Sequence, residues 1–178
     1  MVFLLIFLFT GSLLLPLKAI LLNLLSLTAT VGLLTLIFIS GKLTFLVGDF
    51  TNTGTLDTNN LVLVLVVAFA LSMDYELFLL SRIREEYVNG KSNTEAVAIG
   101  LQRSARLITA AAFVLAVNFA AFLVSGVSGI KMIGIGIAFA IMLDATLIRG
   151  FLVPALMKLM GDWNWWAPKF LQRYSIKH

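Results

Sequence analysis

The chain has 178 residues, 60% of them hydrophobic and only 12% charged, with a net charge of +4 and a mean hydropathy of +1.02. A water-soluble domain of this length has no need of so much apolar surface, so composition points to an all-α integral membrane protein. Cysteine is absent and the single histidine, His178, is the last residue, which excludes a disulfide framework, a thiolate or histidine metal site and a Cys- or His-based triad. The basic residues lie beside apolar segments rather than on a separate basic face, so membrane lipids and not nucleic acid are the expected partners.

In chain order, five apolar runs are expected as membrane spans. The first, about 1–15, is short for a full crossing and reads as the second half of a helix. It ends at Pro16 and Lys18 and lacks the basic leader of a signal peptide. The second, 19–40, carries Asn23, Ser26, Thr28, Thr30 and Gly32, residue types that suit helix–helix packing. Residues 41–59 are rich in Gly, Asn, Thr and Asp and read as a loop. The third span, 60–81, holds Asp74, Tyr75 and Glu76 inside its apolar run. Residues 82–106 form a charged connection in which NGKSN is a turn, Asn93 or Thr94 caps the next helix, and Ala96 to Leu101 lie at the interface.

The fourth span is 107–125 and the last 132–157. In the last, Gly134 and Ala138, and Gly136 and Ala140, place small residues four apart, which permits close approach of a neighbouring helix. Pro154 is expected to kink its end. Residues 1–160 thus form a membrane domain, and 161–178 a cytoplasmic interfacial tail with Trp163, Trp165 and Trp166 at headgroup level. Lys18, the 82–106 connection and the tail hold most of the Lys and Arg, whereas Lys42 and Lys131 lie on the other side. The positive-inside rule therefore puts the C-terminus in the cytoplasm and the 41–59 loop outside.

Asp74 lies eight residues before Arg82, roughly 12 Å along a helix. A carboxyl at that depth costs about 2.5–3.5 kcal/mol on insertion scales, a cost usually tied to a use such as proton carriage. Tyr75 can donate to a carboxylate on a facing helix, and Phe78, four residues on, shares the Asp74 face and can seal it from water. The plain alternative is an acid held in a static ion pair. Glu76 lies about 200° around the helix from Asp74 and faces elsewhere, where an Arg or polar group can pair with it. Asp144 and Arg149 form a second candidate site. Five residues apart, they sit about 140° around an α-helix, so a direct pair is loose, and pairing across helices with Asp74 or Asn118 stays open. A structural salt bridge and a relay role are both compatible with them. With no nucleophile–base pair and no metal-ligand set, an enzyme is not expected.

The stretches PLKAILLNLLSL, LSMDYELFLLSRIREEY, GLQRSARLITAAAFVLAVNFAAF, MLDATLIRGFLVPALMKLMG and DWNWWAP cover nearly the whole chain. In that order they resemble the MmpL-type branch of the resistance–nodulation–division superfamily of bacterial transporters. The resemblance implies a bundle of about five membrane helices, one incomplete, matching the end of the second transmembrane half. It implies that Asp74 and Tyr75 relay protons, with Phe78, Glu76, Asp144 and Arg149 in support, and that an Asp-Tyr pair of the other half faces them. It further implies export of lipids, lipid-like molecules or drugs, driven by the proton motive force without a cofactor, in a bacterial plasma membrane. The partner would be the N-terminal half of the transporter or another transporter chain. The alternative is a non-transporting interaction module, or a truncated remnant of such a transporter.

Overall fold

The computed structural model describes residues 2–48, 50 and 54–166, and among these the regular structure is helical throughout, with no strand. Helix α1 (Val2–Thr10) leads through a turn at Gly11, whose φ of 66° favours glycine, into α2 (Leu14–Phe38). The Ser12 hydroxyl accepts from the Leu14 and Leu15 amides at the start of α2. Pro16 sits in that first turn, where a missing N–H costs nothing, so α2 begins before the expected boundary and takes in Lys18. A loop with one 3₁₀ turn (Thr44–Leu46) follows, and α3 (Thr58–Val88) starts at Asp57, whose carboxylate accepts from the Asn59 and Asn60 amides.

The charged connection is mostly helix. Helix α3 continues through Arg82–Glu86, residues of high helix propensity, and Arg82 pairs with Glu85 3.0 Å away. Only Asn89–Ser92 separate it from α4 (Asn93–Ala120). The cap of α4 is Ser92 rather than Asn93 or Thr94, in a reciprocal capping box with Glu95. Residues 96–101 are the first turns of this helix, and Ala96, Val97 and Gly100 are buried in it rather than held at an interface. After a 3₁₀ turn (Ala121–Val124) come α5 (Ser128–Leu143), a π-helical segment (Asp144–Leu152) and α6 (Val153–Met160). Four stretches are long and apolar enough to cross a membrane: Leu14–Phe38, Thr58–Val88, Asn93–Val124 and Ser128–Trp165. With the shorter α1 they form the expected all-α membrane bundle. Large side chains such as Leu21, Val66, Phe113 and Phe151 point outward, as a bilayer solvent requires.

Helix α3 is central, packed between α4 and α5, with α2 lying across α3 and α5. Glycines set the closest approaches. A Cβ on Gly100 would stand 2.9 Å from the backbone of Ile83, and one on Gly134 would stand 2.7 Å from the Phe119 carbonyl oxygen. Gly136 meets the side chains of Val64 and Leu34, so the small residues of α5 face α2 and α3 as well as α4.

At one end of the bundle the turns meet the tail. Asn93 and Asn164 both donate to the Met157 carbonyl, at 2.9 and 2.6 Å, and Trp165 Nε1 donates to Asn93 Oδ1 at 3.1 Å. Trp165 stacks on Tyr87 with 4.3 Å between ring centres, and the Leu13 amide donates to the Trp166 carbonyl. Thus Gly161–Trp165, a 3₁₀ turn, is docked onto the helices. Only Trp163 and Trp166 are exposed as headgroup-level tryptophans would be. The remainder of the expected tail, 167–178, lies outside the described residues.

Gly100→Ala is expected to destabilise the bundle by about 1–3 kcal/mol, because its methyl meets the backbone of Ile83 as well as its side chain, and the backbone cannot step aside. Gly32→Ala, which meets open space, leaves stability unchanged or raises it. Thermal unfolding of the two variants in detergent reads the contrast.

Candidate functional site

Two apolar clusters divide the bundle lengthwise. One gathers Ile6, Leu15, Leu79, Leu80, Ile83, Val97 and Met157; the other gathers Leu34, Ile37, Val64, Ala116, Met132 and Ile137. Between them lie the buried polar side chains of Ser72, Glu76, Asp144 and Arg149. Arg149 is the largest fully buried side chain, with 1% of its surface exposed. Its Nε donates to Asp144 Oδ2 at 2.7 Å and its Nη2 lies 2.6 Å from the same oxygen, an ion pair within one helix. Nη2 also donates to the Ser72 carbonyl and, at 3.3 Å, to the Ser72 hydroxyl. That hydroxyl in turn donates to Asp144 Oδ1 at 2.9 Å. The guanidinium carbon lies 5.3 Å from the centre of the Tyr75 ring, a cation–π arrangement.

The expectation of a loose pair between Asp144 and Arg149 is corrected here. It assumed an α-helix, in which the fifth residue on is turned away. The chain from Asp144 to Leu152 is π-helical, and its i→i+5 pattern brings Arg149 back over Asp144. Pro154 contributes, since it has no N–H to offer the carbonyl four residues earlier and so favours a wider turn where a simple kink was expected. The cross-helix partner of the pair is Ser72, not Asp74 or Asn118, and Asn118 is exposed. The Thr146 hydroxyl bonds back to the Met142 carbonyl and takes no part.

Asp74 sits on the opposite face of α3. It is exposed, and among the described residues it makes no hydrogen bond or ion pair. Tyr75, half-buried, lies between the two faces and lines a narrow cleft with Ser26, Ser72 and Asp144. Phe78 is half-buried against the first apolar cluster, with the Arg82 guanidinium 5.6 Å from its ring centre. Glu76 is buried and within electrostatic reach of Arg149, Lys18 and Asp144, while its Oε1 has no hydrogen-bond partner among the described residues. The structure therefore brings Tyr75, Asp144 and Arg149 together, with Glu76 near them, and leaves Asp74 facing out. Sequence reasoning missed Ser72 and Lys18. Ser72 stands one turn before Glu76 on the same face, a spacing that marks it once the inward face of α3 is known. Lys18, counted as a cytoplasmic charge, is buried.

The MMPL family model matches residues 1–174. The chain belongs to the MMPL family. This MMPL chain is 44% identical to the trehalose monomycolate exporter MmpL3 of Mycobacterium tuberculosis over 97% of its own length and 18% of that protein's. It is 44% identical to the MmpL3 of Mycolicibacterium smegmatis over 97% of its length and 17% of the relative's. With the mycolic acid-containing lipids exporter MmpL11 of the same organism, identity is 42% over 91% of this chain and 17% of the relative. The MMPL chain thus spans less than a fifth of the length of each of these three relatives.

Removing one partner of the buried pair strands the other charge, so Asp144→Leu or Arg149→Met is expected to cost about 3–5 kcal/mol. The double variant Asp144→Leu/Arg149→Met is expected to be milder than the sum of its parts. A double-mutant cycle on thermal unfolding measures that coupling, and strict additivity would contradict the pairing.

Proposed function

We propose that this chain is membrane machinery of a proton-driven exporter of lipids, lipid-like molecules or drugs, with Asp74 as the proton carrier and Tyr75 as its hydrogen-bonding partner. The observation that carries the reading is the exposed Asp74 carboxyl on a membrane helix, next to a tyrosine braced by a buried guanidinium. A carboxyl on such a face is costly unless another polar group meets it. The proposed partner is a second set of membrane helices bearing its own acid, from the other half of the transporter or from another chain. Protonation of Asp74 on one side and release on the other changes the charge between those helices, which is how a proton gradient can drive a conformational cycle.

In this reading Arg149 stacks over the Tyr75 ring and Asp144 holds Arg149, so the supporting pair positions the relay without exchanging its own proton. Phe78 shields the Asp74 face toward the Arg82 end, and Glu76 acts from the opposite face. No cofactor and no chemical catalysis are needed. The names of the MmpL3 and MmpL11 relatives support a lipid or lipid-like cargo. The concentration of Lys and Arg around the 82–106 stretch and beyond Met157 supports a bacterial plasma-membrane orientation in which the end carrying Asn93 and Trp165 is cytoplasmic.

Asp74→Asn is expected to reduce export by the assembled transporter to background while leaving insertion and thermal unfolding near wild type, because the side chain is outside the packed core. Tyr75→Phe is expected to keep the ring under Arg149 and lose part of the rate. Export assays in the native host decide it, and wild-type export by Asp74→Asn would rule out the relay.

A further inference from the structure

On the inward face of α3, away from Asp74, runs a line of buried polar atoms that neither the ion pair nor helix packing explains. Lys18 Nζ, both amide atoms of Asn23, Glu76 Oε1 and Arg149 Nη1 have no hydrogen-bond partner among the described residues. All four side chains belong to residues more than nine-tenths buried, Asn23 with 2% exposure and Glu76 with 3%. Leaving one buried polar group unpaired costs about 1–3 kcal/mol, and more if charged, so four such residues in one region need a common explanation.

Their positions supply one. Lys18, Asn23 and Ser26 follow one another along α2 from its start, over roughly 12 Å of helix. Lys18 is within electrostatic reach of Glu76, and Glu76 of Arg149 and Asp144. Ser26 lines the narrow cleft that also contains Ser72, Tyr75 and Asp144. The result is a polar seam between α2, α3 and the π-helical segment, leading from the end of the bundle that holds Lys18 to the Asp144–Arg149 pair. Its formal charges cancel, two cations against two anions, so a further ion is disfavoured and the fitting ligand is neutral, small and able both to donate and to accept. Water meets those terms, since a buried water typically makes about three hydrogen bonds to polar groups otherwise unsatisfied.

We propose that this seam is an enclosed internal water-binding site beside the Asp144–Arg149 cluster. Buried waters there satisfy the unpaired atoms of Lys18, Asn23, Glu76 and Arg149, on the side of α3 away from Asp74.

The chain's lack of cysteine makes a water-sized probe available. A single introduced thiol has an isolated S–H infrared band, and its conversion to S–D on transfer to heavy water reports water at that site. Asn23→Cys and Ser26→Cys place the thiol in the seam. Ala112→Cys places it at a site 1% exposed within the second apolar cluster. In the full chain in lipid nanodiscs, the two seam thiols are expected to exchange at least about tenfold faster than Cys at position 112, which waits for local opening. Ser26→Cys changes little in volume and serves if Asn23→Cys fails to fold. Seam thiols as slow as the control would show a dry seam, and all three equally fast would show general opening of the bundle. Either result overturns the water site. The readout needs no transport, so a wet seam together with normal export by Asp74→Asn would remove the relay and leave the water site standing.

Discussion

A guanidinium cannot shed its charge, so an arginine enclosed by apolar helices must be met by fixed partners or its burial is prohibitive. Arg149 is met by Asp144 along its own helix and by Ser72 across the interface with α3, and much of the bundle is arranged around that requirement. The helix carrying both charges departs from α geometry to let them pair. The facing helix contributes a serine whose hydroxyl serves both, accepting from the arginine and donating to the aspartate. The two apolar clusters sit above and below this polar layer and exclude lipid from it.

The rest of the packing keeps the layer in register. Without a hydrophobic drive between helices in a bilayer, contact depends on how near the backbones come. Gly100 lets α4 close on α3 at Ile83, while Gly134 and Gly136 let α5 close on α4, α3 and α2. At one end the amides of Asn93 and Asn164 converge on the Met157 carbonyl and tie the helix that follows the ion pair to the start of α4. A shift of α6 therefore has to break buried hydrogen bonds at that end as well as the ion pair in the middle. This is the kind of cooperative packing that moves between discrete arrangements rather than deforming gradually.

Helix α3 consequently has two unlike faces. Its inward face, with Ser72 and Glu76, belongs to the internal polar network; its outward face presents an exposed Asp74 with no hydrogen bond or ion pair among the described residues. Tyr75 lies between them, under Arg149. In the proposed transport cycle a change of charge at Asp74 is felt through Tyr75 by the buried pair, and through the pair by the π-helical segment and the end of the bundle. Nearness of these groups supports that coupling.

Composition, span lengths and the acid inside an apolar run determined by themselves that this is a multi-pass helical membrane protein and which residues are chemically unusual, because bilayer thickness and the cost of charge leave few alternatives. The SMDYE and LDATLIR stretches were enough to point to the family. Helix ends were less legible. The Arg and Glu residues after Arg82 read as a connection, yet continue α3 because their intrinsic preference is helical and the buried Glu86 pairs with Arg103 of α4. Pairing was not legible at all. An α-helical wheel separates Asp144 from Arg149, and only the π-helical turns ahead of Pro154, stabilised by Ser72 from another helix, reunite them. The same holds for Lys18 and Asn23, which read as a flanking charge and a packing residue. Their burial depends on how α2 crosses α3, a relation between segments some 50 residues apart that no local pattern encodes.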